Sequence, residues 1–284
     1  MRHYSLVAVC LSGALVLSAC QKTGDSEVER SKSVNVIDES NLNDVMLQAA
    51  DPNEAVAYFV RATSENPDRI DLQRGLGKAL IRAKLPTQAK PVWKKVVSME
   101  GATANDRVEL ADTLIRNGDW AEAEATLDEI PPTHETYRRY RLEAMVADSN
   151  EEWKKADSFY ETAAGLTTKP SGVYNNWGYS KLSRGDYAGA EKMFAQAITY
   201  DSSLFTAKNN LVLARAAQRK YDLPIVQMTQ TERAQLLHTT ALSAIKQGDV
   251  ATGKGLLTEA IETHPQYFEA AVRSLDALEA NVTN

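Results

Sequence analysis

Side chains able to do chemistry are few in this chain. Four histidines and two cysteines occur among 284 residues. His134, His238 and His264 stand far apart, and none lies three or four residues from another His or a Cys, the spacing that brings two metal ligands to one helix face. There is no glycine-rich phosphate loop and no Gly-x-Ser-x-Gly. Carboxylates such as Glu122, Glu124, Asp128 and Glu129 recur at the spacing of a solvated helix face. The sequence therefore predicts no catalytic residue, no metal ligand and no cofactor. What remains is a cysteine placed for modification, Cys20, and two asparagine pairs, Asn175–Asn176 and Asn209–Asn210. An asparagine amide donates and accepts at once, which is chemistry for holding a peptide backbone.

Cys20 ends a segment unlike the rest. Arg2 is followed by an apolar run from Leu6 to Leu17, too short for a permanent span, and then by Leu17-Ser18-Ala19-Cys20. This pattern resembles the bacterial lipobox, which implies removal of residues 1–19 as a lipoprotein signal peptide and acylation of Cys20. Gln21 follows where Asp would resemble an inner-membrane retention signal, so the expected destination is the outer membrane, lipid-anchored, with the folded part in the periplasm. Cys10 lies in the removed segment and Cys20 is consumed by lipid, so no thiol is left to form a disulfide. Residues 20–40 comprise the acylated cysteine and a polar stretch of mixed charge that reads as a disordered tether, about 25 Å from end to end as a flexible coil. A net charge of −6 excludes a general electrostatic grip on nucleic acid.

The elements that must position the asparagines are read most clearly from Ser171 to Leu204. Tyr174, Trp177, Gly178 and Leu182 share one side of a helix, Gly185–Asp186 break it, and Ala190, Phe194, Ala197 and Ile198 form the inward stripe of a second. Small residues at Gly178, Ala190 and Ala197 admit close approach, and aromatic rings fill the remaining space. The combination resembles the tetratricopeptide repeat, with a period near 34 residues. In that register repeats start near residues 36, 70, 104, 137, 171 and 234, with a degenerate unit near 205, so residues 41–284 are expected to form an all-α solenoid of about six repeats, a right-handed superhelix with a C-terminal capping helix. The first helix of the degenerate unit is expected to reach Lys220. Pro224 then falls inside its second helix, which should be interrupted, and Thr229 with Glu232 has the spacing of a capping box that starts a new helix near Gln230. The rings of Trp93, Trp120, Trp153, Trp177, Tyr160 and Phe194 are expected to be core.

The tetratricopeptide resemblance implies a concave face lined by the first helices, where a partner protein or peptide binds. Carried over position by position, it implies Arg74, Lys78 and Arg82, then Arg138, Arg141 and Met145, then Asn175, Asn176 and Tyr179, then Asn209, Asn210 and Leu213 as protein-binding residues. The basic residues of the earlier repeats would favour an acidic segment. Glu109 stands where a chaperone-type carboxylate clamp wants Asn, so that clamp is not expected. More specifically, VYNNWGYSKLSRGDYAGAEKMFAQAI, TAKNNLVLARAAQRKYD and the stretch from Thr231 to Ala271 resemble the tetratricopeptide outer-membrane lipoproteins of the tight-adherence (Tad/Flp) pilus system over roughly residues 171–275. That resemblance implies a pilotin-like role, in which the lipid holds the solenoid at the outer membrane and the groove receives the pilus secretin subunit. A general envelope adaptor for proteases or cell-wall enzymes, or an accessory of β-barrel assembly, would be built from the same parts.

Overall fold

The computed structural model describes residues 41–282. Cys20, the signal segment and the tether lie outside the described residues. The chain divides into two units, residues 1–50 and 51–284. Helical residues 41–48 (α1), expected from the sequence to open the solenoid, fall in the first unit. All further helices belong to the second.

The second unit is a series of helix hairpins: α2 (Pro52–Glu65), α3 (Ile70–Arg82), α4 (Pro86–Ser98), α5 (Ala104–Asn117), α6 (Trp120–Asp128), α7 (Tyr137–Ser149), α8 (Trp153–Gly165), α9 (Ser171–Ser183), α10 (Tyr187–Tyr200), α11 (Phe205–Ala217), α12 (Gln230–Lys246), α13 (Val250–Thr263) and α14 (Glu269–Val282). Each helix packs chiefly on its sequence neighbours. In addition the first helices α5, α7, α9 and α11 touch one another in succession, with no contact of like extent joining α6, α8 and α10. The layer in which successive helices crowd together is the inner side of a curved stack, so the first helices line the concave face.

The period has a visible cause in packing. Gly77 lies against the Trp93 ring and Gly178 against the Phe194 ring so closely that an added Cβ would stand 2.5 and 2.6 Å from ring carbons. A second cause is backbone hand. Each first helix from α3 to α12 is followed by one residue with positive φ: Lys84, Gly118, Glu151, Gly185, Arg219 and Gly248. Three of the six are not glycine, so the turn is imposed there by the hairpin's packing against the residue's own preference.

The interruption after α11 is real and differs in detail from expectation. α11 ends at Ala217, before Lys220, because Arg219 takes the left-handed turn (φ 59°). Residues 218–229 form no helix. In place of a second helix, Val226 packs on the core of Phe194, Ala207 and Leu211, while Leu223 packs on that of Leu237, Ala241 and Leu257. Lys208, fully buried on α11, bonds Glu232 at 3.0 Å, and Glu232 also closes the capping box with Thr229 at the start of α12. The next repeat is thereby docked directly on α11.

Candidate protein-binding groove

The concave face holds a cavity of about 480 Å³ between α7 and α11, lined by side chains from α6, α7, α8, α9 and α11. Asn175, Asn176 and Tyr179 from α9 and Asn210 from α11 line it together with Met145 from α7. Residues one turn apart on α9 face the same way, and α7 and α11 flank α9, which is why four positions distant in sequence converge. The amides are held in place: Asn210 Nδ2 donates to Asn175 Oδ1 at 3.3 Å, and Asn176 Nδ2 donates to the Met145 thioether at 3.4 Å. Among the described residues the Asn175 amide nitrogen and the Asn176 and Asn210 carbonyl oxygens have no side-chain or backbone partner, so one donor group and two acceptors remain for a bound backbone.

The other residues singled out by sequence do not join this cavity. Asn209 accepts a bond from Thr239 at 2.9 Å, and Leu213 is half-buried on α11 outside the cavity lining. Lys78 is exposed on α3. Arg74 forms two bonds of 2.7 Å to Asp106, a buried carboxylate that also accepts the Thr103 N–H, and a third to the Gly101 carbonyl. Burial raises the Asp106 pKa, yet the bonds from Arg74 and Thr103 outweigh it and hold the carboxyl below its ordinary value. Arg138 donates to Glu109 from both terminal guanidinium nitrogens, and Arg141 lies 3.7 Å from Asp112. These cations staple one repeat to the next. They do not form the basic surface for an acidic segment that their sequence positions suggested.

Several lining residues escape a reading by sequence. Trp120, 37% exposed, and half-buried Trp153 start the second helices α6 and α8 and wall the cavity, whereas Trp93, Tyr160 and Phe194 are buried as core. Trp177 is half-buried and stacked between Tyr160 and Tyr174. The floor carries Asp148, whose Oδ2 accepts the Tyr160 hydroxyl at 2.9 Å and whose Oδ1 accepts the Ser180 hydroxyl at 2.7 Å. Burial pushes the Asp148 carboxyl above the usual carboxylate range, against the pull of those two bonds. Burial and the adjacent carboxylate push the Tyr160 phenol well above its ordinary value, so it remains a donor. Among the described residues no group of three His, Cys, Asp or Glu could hold a metal, and no helix is long and apolar enough to cross a membrane.

No family model and no curated protein matches the chain. Solved structures do. The chain is similar to the Cut9-Hcn1 hetero-tetramer of the APC/C (TM-score 0.60, 14% identity, covering 88% of this chain and 52% of that one). It is similar to a tetratricopeptide repeat protein from Parabacteroides merdae (TM-score 0.54, 13% identity, 89% and 98%). It is also similar to PilW, a widely conserved type IV pilus biogenesis factor (TM-score 0.57, 13% identity, 88% and 100%). By fold, residues 51–282 form an all-helical tetratricopeptide-repeat solenoid.

Proposed function

We propose that the protein binds an extended segment of a partner protein in the concave groove, and that the partner is the secretin subunit of a Tad/Flp-type pilus, held for assembly at the outer membrane in the manner of a pilotin. The observation that carries the binding reading is the convergence of Asn175, Asn176, Tyr179 and Asn210 on one aromatic-walled cavity. An amide ladder beside apolar pockets holds a peptide by its backbone and selects it by its side chains. Fold alone does not give function, so the choice of partner rests on the particular resemblance of residues 171–275. The shared fold with PilW, itself a pilus biogenesis factor, supports it. Acylation of Cys20 would place this groove at the membrane where a secretin is assembled.

The test is cross-linking followed by co-purification from the protein's own cells, comparing wild type with a variant carrying Asn176→Ala and Asn210→Ala. Recovery of a pilus secretin from wild type, reduced at least about tenfold in the variant, supports the reading. Recovery of proteases, cell-wall enzymes or barrel-assembly proteins without a secretin overturns the pilus assignment.

A further inference from the structure

Asp148 stands where the repeat otherwise places an uncharged aliphatic side chain. Three residues before each left-handed turn residue are Ile81, Ile115, Asp148, Leu182, Ala216 and Ile245. Its partner is marked in the same way. Nine residues after the five turns that lead into a second helix are Trp93, Leu127, Tyr160, Phe194 and Leu257, all buried, so Tyr160 adds a hydroxyl at a core position that is elsewhere free of one. One repeat has thus replaced two packing residues with a hydrogen-bonded carboxylate and its donor. Placing a carboxylate where packing wants an isoleucine costs stability.

Asp148 is also the one charged residue that lines the cavity. Each of its oxygens accepts a single hydroxyl bond, from Tyr160 and from Ser180, which leaves each with a free lone pair. No cation of the described residues forms an ion pair with it. Arg184 and Arg141 contribute positive field nearby, but Arg184 is bonded to Asp157 at 2.7 and 2.8 Å and Arg141 is paired with Asp112. Trp120, Trp153 and Tyr179 supply aromatic walls to the same cavity. The Trp153 ring already carries the Arg184 guanidinium, 5.7 Å from its centroid.

Resting on the groove reading above, we propose that this cavity receives an arginine side chain of the partner's docked segment, its guanidinium donating to Asp148 and its stem lying against Trp120, Trp153 and Tyr179. A planar fork of N–H groups suits a carboxylate with one open site on each oxygen and stacks on an indole, which a lysine ammonium does less well. The preferred segment is therefore basic at this point, opposite to the acidic segment that the arginines of the earlier repeats would suggest.

The test pans a random heptapeptide phage library on the full-length protein in detergent, as wild type and as Asp148→Asn. Arginine is expected at one recurring position among wild-type binders. Replacing it by citrulline, a neutral isostere, should weaken the synthetic peptide at least about tenfold on wild type and about twofold or less on Asp148→Asn. Trp120→Ala, on the exposed rim, should weaken the same peptide about threefold and serves if Asp148→Asn does not fold. A wild-type pool without a recurring basic residue, or enriched in acidic ones, overturns the proposal, and a pool led by lysine overturns the choice of arginine. So does an equal citrulline loss on both proteins. The groove reading fails separately, if wild type selects no peptides or if the selected ones bind equally well to a protein carrying Asn175→Ala, Asn176→Ala and Asn210→Ala.

Discussion

At the scale of single residues, the concave face sorts its polar groups by whether a neighbouring repeat has already claimed them. Arg74 with Asp106 and Arg138 with Glu109 are pairs separated by 32 and 29 residues, close to one repeat, so each arginine on a first helix meets a carboxylate of the adjacent first helix. Asp148 is the exception, bonded only to hydroxyls. Its raised pKa has a consequence for stability. The folded state holds the Asp148 proton more tightly than the unfolded chain does, so stability from this group is full below the unfolded pKa and falls as pH rises through the folded one. Burial, the hydroxyl bonds from Ser180 and Tyr160, and the charges of Arg184 and Asp157 together set the size of the effect. Asp148→Asn should be more stable than wild type at about pH 7, and the difference should shrink towards about pH 4, as the wild-type carboxyl takes up its proton. Paired urea unfolding curves at the two pH values measure this. A difference that grows on acidification would show that the carboxylate is stabilised by the fold, not penalised by it. From sequence, Asp148 was one of 38 acidic residues. It becomes visible only when the repeats are superposed on their left-handed turns.

Elements were the most legible level, for a physical reason that can be named. A glycine facing an aromatic ring across a hairpin leaves a fixed pattern in the chain, and Gly178 with Phe194 shows it in its clearest form. Gly178→Ala should destabilise the protein by about 2 kcal/mol, because the added methyl would enter the Phe194 ring, and a thermal melt compared with Gly172→Ala, where the space is open, isolates the effect. Equal losses at both sites would attribute the cost to helix position and not to the close approach. Less legible were the turns at Lys84, Glu151 and Arg219, since a left-handed residue without glycine carries no mark in the sequence. The end of α11 was misplaced by three residues on that account. Pro224 did announce the missing second helix, but not its replacement, in which Leu223 and Val226 divide the plugging of two adjacent cores. The cavity walls were misread for a related reason: Trp120 and Trp153 begin second helices at the inner rim, where a ring is half in the core and half in the groove.

At the scale of the whole molecule, the stack converts a linear period into a surface that the individual repeats lack. The full chain carries a net charge of −6, and the concave Arg74 and Arg138 are internally neutralised, so the field of the molecule does not announce the groove's preference. On the proposed reading, recognition is instead local, in amides that would hold a backbone and a cavity that would take a side chain. The partner is proposed to dock in the cavity between α7 and α11. A photo-activatable residue placed at Tyr179, 62% exposed at the cavity, should trap the pilus secretin subunit in living cells. The same residue placed at Val60, 51% exposed on α2, should not, and Asn176→Ala should diminish the Tyr179 product. Equal trapping from both positions, or trapping at Tyr179 that is indifferent to Asn176, would contradict the assignment of this groove as the docking site.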